Sequence, residues 1–195
     1  MNEMLIIGAS GGVGTECVKH FTNTYKVVSI SRQDGDLRDK QFLKKIVREN
    51  NPSVVLNCAG VYDKEFYETF ESNFLSLSFL TMEFYKKMDS GNIINICSSS
   101  ANSSGWPGID YDRINYNVSK SSLKKFSNML QSSKNKRVKV TTLEPAQIDT
   151  KMLKHKSEKI TPLKPSYVVG VIDWILNQPS SVVISSMEIQ NDCRL

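Results

Sequence analysis

Short runs of apolar, β-branched residues recur along this chain, and each is followed by a longer stretch with helical spacing. "MLIIGA", "KVVSIS", "SVVLNCA", "NIINICS", "VKVTTLEP" and "SVVISSMEIQ" read as six strands. Most are apolar at successive positions, so both faces must be covered, which marks a parallel sheet sandwiched by helices. Helical patterns fill the gaps: about Val13 to Thr22, "DKQFLKKIVREN", "EFYETFESNFLSLSFLTMEFYKKM" as one long helix, about Tyr116 to Ser133, and "PSYVVGVIDWILNQ" opened by Pro165-Ser166. That alternation predicts an α/β architecture with a doubly wound parallel sheet flanked by helices. At 195 residues it forms one domain, residues 1–195, without repeats or a dividing linker. In such a sheet ligands bind beyond the carboxyl ends of the strands, so the residues just after each strand carry the chemistry.

Composition narrows the classes. A 39% hydrophobic and 23% charged chain is an ordinary soluble globule. No run is long and apolar enough for a membrane span, and "MNEMLIIGAS" lacks the basic start of a signal peptide, so a cytoplasmic protein without a membrane partner is expected. The charge of +5 is spread along the chain without aromatic interleaving, which argues against nucleic acid. Four separated cysteines and two histidines form no metal motif, and neither a zinc site nor a histidine triad is expected. Reduced, buried thiols are the expected state of the cysteines.

The first strand runs into "GASGGVG", with Gly8, Gly12 and Gly14 and with Ser10 inside the loop. Glycines let backbone N–H groups approach a pyrophosphate, and a helix starting near Val13 turns its positive end toward that anion. The second strand ends in Ser31 and Arg32 where an acidic residue would accept the ribose hydroxyls of NAD. A guanidinium forks onto a ribose phosphate instead, so NADP(H) is expected in preference to NAD(H). In "YNVSK", Tyr116 and Lys120 lie four apart on one helix face. They are either an acid and its tuning cation or an exposed helix pair. The Asn117-Val118-Ser119 acceptor pattern, like that at Asn102, has no use in a cytosolic chain.

Taken together these elements resemble the short-chain dehydrogenase/reductase family, as a small classical-like member with a Rossmann-type fold. "GASGGVG" matches its glycine loop, and "NCAG" resembles the Asn-Asn-Ala-Gly element after the family's fourth strand. "INICSSS" resembles the strand bearing its active serine, "YNVSK" its Tyr-x-x-x-Lys, and "EPAQIDT" its Pro-Gly-x-x-x-Thr segment. The matches run in family order from Leu5 to Ile189. The resemblance implies an NAD(P)-dependent oxidoreductase that moves hydride between a nicotinamide and a small carbonyl or alcohol. It assigns Tyr116 as proton donor or acceptor, Lys120 as its tuner and a ribose ligand, Ser98 as the group polarising the carbonyl, and Asn73 as support for a proton-relay water. Asp36 and Leu37 would lie near the adenine, Asn57, Ala59 and Gly60 along the ribose, and Ile148 and Thr150 at the nicotinamide. No metal is implied. Bringing a phenol from about 10 to near neutrality takes about 4 kcal/mol. One ammonium at about 4 Å, with an effective dielectric of about 20, supplies about that much.

Departures leave alternatives open. Ser98 precedes Tyr116 by eighteen residues, a longer interval than the family's, so Ser99, Ser100 and Ser103 compete for its role. Ala146 stands where the family has glycine, and Cys58 where asparagine is usual. The segments from Arg32 to Asp36 and from Gly60 to Asn73 are short, and Asn73 has an alternative as a buried asparagine bonded to backbone. Residues 151–165 are expected as a substrate lid, whose lysines either draw an anionic substrate or are simply solvated. Trp106, Tyr111 and Met152 form a substrate wall or pack the loops. Two other functions use the same residues: a small epimerase or dehydratase with the same Tyr/Lys pair, and a non-catalytic NADP-binding sensor. The long helix and the helix from Tyr116 resemble those through which the family forms homodimers or homotetramers. The stripe Leu123, Phe126, Met129, Leu130 fits such an interface or the core.

Overall fold

The six apolar runs form one parallel sheet in the computed structural model, which describes residues 1–62, 64–102, 111–133, 137–153 and 160–192. The strands are β1 (Glu3–Ile7), β2 (Lys26–Ile30), β3 (Val54–Asn57), β4 (Gly91–Ile96), β5 (Val138–Pro145) and β6 (Ser186–Ile189). Their order is β2-β1-β3-β4-β5-β6, and every neighbouring pair is parallel. The chain leaves β1 toward β2 on one side, then returns to place β3 on the other side. The strand order therefore reverses between β1 and β3, and a crevice opens there at the carboxyl ends.

The pleat divides the core in two. Leu5, Ile7, Val55, Ile93 and Val140 face one layer, packed by α2 (Lys40–Glu49), α4 (Ser76–Lys87) and α5 (Tyr111–Gln131). Met4, Ile6, Val54, Leu56, Ile94 and Leu143 face the other, packed by α1 (Gly12–Phe21) and α6 (Pro165–Leu176). Residues 4–7 of β1 and all four of β3 are buried, whereas the edge strands β2 and β6 retain exposed positions. Burying each Leu, Ile or Val contributes about 1.5–3 kcal/mol, which is why the central strands tolerate so little polarity.

Three element boundaries differ from the sequence reading. The stretch expected as one helix over residues 65–88 is α3 (Phe66–Phe70), then a π-helical turn (Glu71–Leu75), then α4. A π turn accommodates one extra residue, and here it turns both Asn73 and Ser76 inward, where they are buried. The helix expected from Tyr116 begins five residues earlier, at Tyr111, with Asp112 suitably placed in its first turn. The last strand is only Ser186–Ile189; before it, the Ser185 carbonyl accepts the Thr142 N–H at 3.0 Å and the Ile184 carbonyl the Thr141 hydroxyl at 2.6 Å. The Asn57–Gly60 element follows the third strand rather than a fourth, among the described residues. Within them no helix is long and apolar enough to cross a membrane.

Candidate functional site

The loop between β1 and α1 is shaped by close backbone approach. Gly8 has φ +83°, a left-handed conformation, and a Cβ there would lie 2.6 Å from the Ala59 nitrogen. The glycine loop and the residues after β3 therefore touch main chain to main chain. A Cβ on Gly12 would strike the Thr150 side chain, so the loop after β5 reaches the same spot. At the start of α1, Gly11 is the N-cap with no side-chain cap bond, and the first turn holds no acidic residue. The initial N–H groups of that helix are left to an anion, which the helix dipole favours.

Around this loop lies a cleft of ≈ 1480 Å³, larger than a pocket for one drug-sized ligand. Its walls include the candidate residues Gly8, Ser10, Gly12, Val13, Arg32, Asp36, Leu37, Ala59, Gly60, Ser98, Tyr116, Lys120, Ile148 and Thr150. Four other candidates stand behind the wall. Gly14 packs against the Gly8 carbonyl, where a Cβ would collide. Ser31 closes a turn by bonding Asp34 with its N–H and its hydroxyl, each at 2.8 Å. Asn57 is fully buried and donates to Thr81 Oγ1 at 3.0 Å and Asn95 Oδ1 at 2.6 Å. Asn73 is also fully buried: its Oδ1 accepts from the Val61 N–H at 2.8 Å, and its Nδ2 donates to the Val61 carbonyl at 3.0 Å and to Ser119 Oγ at 3.1 Å. Those bonds hold the end of the Gly60–Val61 segment in place. They correspond to the alternative of an asparagine committed to backbone.

At the far end of β2, Arg32 faces the cleft beside an ion pair. Arg38 donates to both Asp36 oxygens, from Nε at 3.1 and 3.0 Å and from Nη2 at 2.7 Å. Those hydrogen bonds hold the Asp36 carboxyl below its ordinary range, and Arg32 adds to the effect. The sequence reading named Arg32 and Asp36 but missed Arg38, whose signal was the Asp-x-Arg spacing in "GDLRD".

Tyr116 sits half-buried on α5, with the Tyr62 ring edge-on at 5.2 Å. Ser98 lies close enough to the phenol to lower its pKa, and Ser98 Oγ lies 2.7 Å from Ser100 Oγ, so one of the competing serines supports the other. Ser103 and Trp106 lie outside the described residues. Lys120 is buried, and its Nζ donates to the Ile96 carbonyl at 2.9 Å. It lies 5.9 Å from the centre of the Tyr116 ring. Gly60 leaves room for it, since a Cβ there would sit 3.3 Å from Nζ.

The electrostatics correct the sequence expectation. Burial pushes the Tyr116 phenol up to about 12, and Ser98 brings it down only in part. Burial likewise lowers the Lys120 ammonium. An ammonium at about 4 Å would attract the phenolate, but the Ile96 carbonyl holds Lys120 and desolvation of the phenol prevails.

The expected lid is described at its ends. Ile148 bridges Leu163 in parallel, with Asp149 N–H to Leu163 O at 2.9 Å and Leu163 N–H to Gln147 O at 2.8 Å. Met152, Leu153 and Ile160 line the cleft. Residues 154–159 lie outside the described residues. Tyr111 is highly exposed and forms no part of the cleft wall. The sequence reading also missed Tyr62, Arg113, Asn117 and Gln147, all on the wall. A separate apolar depression over α6, lined by Tyr167, Gly170, Val171 and Trp174, shares no residue with the cleft.

Comparison with solved structures places the fold among dehydrogenases. BdcA, solved in complex with NADPH, superposes with a TM-score of 0.82 at 19% identity, over 97% of this chain and 93% of that one. A dehydrogenase/reductase from Sinorhizobium meliloti gives 0.82 at 19% identity, over 100% and 95%. A short chain dehydrogenase from Burkholderia cenocepacia, in complex with NADP, gives 0.80 at 16% identity, over 95% and 87%. A comparison with curated protein sequences finds none that matches. The short chain dehydrogenase family model matches residues 36–161, a stretch that starts after the glycine loop and contains Ser98, Tyr116 and Lys120. With most of its length matched and a parallel sheet wound around the same cleft, the chain belongs to the short-chain dehydrogenase family of oxidoreductases.

Proposed function

We propose that this protein is an NADP(H)-dependent carbonyl reductase that uses Ser98, Tyr116 and Lys120. The observation that carries the reading is that Ser98, Tyr116 and Lys120 line the same cleft as the glycine loop. The glycine loop, the uncapped start of α1 and the cleft's length fit a dinucleotide. Bound there, NADPH supplies the hydride. Tyr116 gives its proton to the carbonyl oxygen, and Ser98 donates a hydrogen bond to that oxygen as charge develops on it. Lys120 has one N–H on Ile96, and its remaining donors would hold the ribose hydroxyls of the cofactor. Asn73 acts from behind the wall by fixing Val61.

Preference for NADP(H) rests on Arg32 and Arg38 at the β2 end of the cleft, where a ribose phosphate would be received. The NADPH in BdcA and the NADP in the Burkholderia cenocepacia enzyme accord with that reading. Titration with each cofactor tests it: NADPH should bind more tightly than NADH, and Arg32→Ala should cut that preference about 10- to 100-fold. Reduction of an aldehyde panel, followed by NADPH absorbance, tests the chemistry. Tyr116→Phe should lower kcat by about 10²- to 10⁴-fold while still binding NADPH. Tighter binding of NADH, or full turnover without the phenol, overturns the proposal.

A further inference from the structure

We propose that Asn102, which stands outside the cleft wall, is a positioning residue that sets the Ser98 hydroxyl against the Tyr116 phenol. The inference rests on the reductase reading and adds to it a residue that no contact with the cleft marks. Ser98 is the root of a tight turn. Its carbonyl accepts the Ala101 N–H at 3.0 Å, and its Oγ accepts the Ser100 N–H at 3.2 Å. The 3-10 turn Ser99–Asn102 follows directly, so Ser98 moves with whatever holds the far end of that turn. Asn102 is that far end. Its Nδ2 donates to Glu188 Oε2 of β6 at 2.7 Å and to Glu144 Oε2 of β5 at 2.9 Å, and its Oδ1 accepts from Lys124 Nζ of α5 at 2.6 Å.

That contact is particular to an amide. One end of the group offers two N–H donors and the other offers only lone pairs. Here the donor end meets two carboxylates and the acceptor end meets an ammonium, so each half faces the charge that suits it. Glu144 is fully buried, and a hydrogen bond made away from water is electrostatically stronger than one at the surface. A second tie lies one residue earlier, where Ser121 Oγ donates to the Ala101 carbonyl at 2.6 Å. Ser121 and Lys124 stand three apart on α5 and so share a face, and Tyr116, Lys120 and Lys124 succeed one another at helical spacing. The helix that presents the phenol therefore also grips the turn that carries the serine. The separation of the two hydroxyls follows from that grip as well as from the sheet. In the sequence Asn102 stood out only for its acceptor pattern; its amide is committed instead to three charged side chains.

The test is a double-mutant cycle, run with NADPH and the aldehyde of the panel that the wild type reduces fastest. Asn102→Ala should lower kcat about 10- to 100-fold and leave the Kd for NADPH unchanged. Asn102→Asp, of the same size, sets a further carboxylate against Glu144 and Glu188 and should lower kcat more. In the Ser98→Ala background neither substitution should lower kcat again, because the effect passes through the Ser98 hydroxyl. A role in stability alone would cost the same factor in both backgrounds. Ser121→Ala, which cuts the tie at Ala101 and leaves the ion contacts in place, should give a smaller loss that vanishes in the same way. An unchanged kcat in Asn102→Ala, or equal factors with and without the Ser98 hydroxyl, overturns the inference. If no aldehyde is reduced, the reductase reading fails on its own account, and hydrogen exchange decides the positioning. Asn102→Ala should then speed exchange of the amides of residues 98–102 and leave those of the glycine loop as in the wild type. Unchanged exchange over residues 98–102 overturns it.

Discussion

Glu144 shows how one side chain, outside the cleft wall, can determine the geometry of the site. It is fully buried at the end of β5, a placement that by itself raises a carboxyl. Lys124 Nζ at 2.7 Å and Asn102 Nδ2 at 2.9 Å donate to Oε2, while Ser186 Oγ at 2.5 Å and Thr142 Oγ1 at 3.0 Å donate to Oε1. These hydrogen bonds outweigh burial and leave the group below its ordinary range. Asn102 ends the 3-10 turn that begins at Ser99, so the network anchors the serine segment to the sheet. Lys124→Met should cost about 3 kcal/mol at neutral pH, measured by urea unfolding, because a buried carboxylate loses its cation. A group whose folded value is depressed stabilises the protein above the unfolded carboxylate range, and that stabilisation is lost as pH falls through the folded value. The wild type should therefore lose stability on acidification, and the gap between wild type and variant should narrow. A gap that stays constant into the acid range would show that Glu144 is not its source.

At the scale of elements, the π turn between α3 and α4 is the feature most remote from local sequence. Apolar residues over 65–88 keep helical spacing, which is why they read as one α-helix. The extra residue is accommodated because Asn73 satisfies both backbone groups of Val61, twelve residues earlier, a partner that no helical window contains. Asn73→Leu should cost about 2–4 kcal/mol in urea unfolding, since it strands a buried N–H and a buried carbonyl. Asn73→Asp keeps an acceptor for the Val61 N–H but sets a buried carboxylate against the Val61 carbonyl, so its cost should shrink as pH falls and the carboxyl protonates, whereas that of Asn73→Leu should not; a loss in Asn73→Asp that is independent of pH would refute this account. Where burial is two-sided and continuous, sequence and structure agree: β5 spans Val138–Pro145 as its apolar run does. The glycine loop and the Tyr116–Lys120 pair were legible for a similar reason, because a tight turn and a helical repeat are local constraints. Arg38, Tyr62 and Arg113 were not, being ordinary polar residues that only the winding of the sheet assembles. The upward shift of the Tyr116 phenol was not legible, because desolvation depends on packing from distant segments.

For the whole molecule, the α3–α4 and α5 layer has apolar surface left over. Leu123 and Leu130 are buried against the sheet, so the inner half of the expected stripe is core, but Met129 is 64% exposed. Ile114 and Val118 are exposed on the same helix, as are Phe66, Tyr67 and Leu75 on the adjoining elements. Side chains spaced along two neighbouring helices make a broad apolar face, which a second copy of the chain can cover by two-fold symmetry. Val118 lies between Tyr116 and Lys120 in the same helix, so such an interface would also stiffen the segment holding both. Sedimentation should place the wild type above the mass of one chain. Val118→Asp combined with Met129→Asp should shift it to the monomer, with lower turnover but intact secondary structure by circular dichroism. If the wild type already sediments as a monomer at micromolar concentration, that face has another role, and the positions of Tyr116 and Lys120 are set by the single chain's own packing.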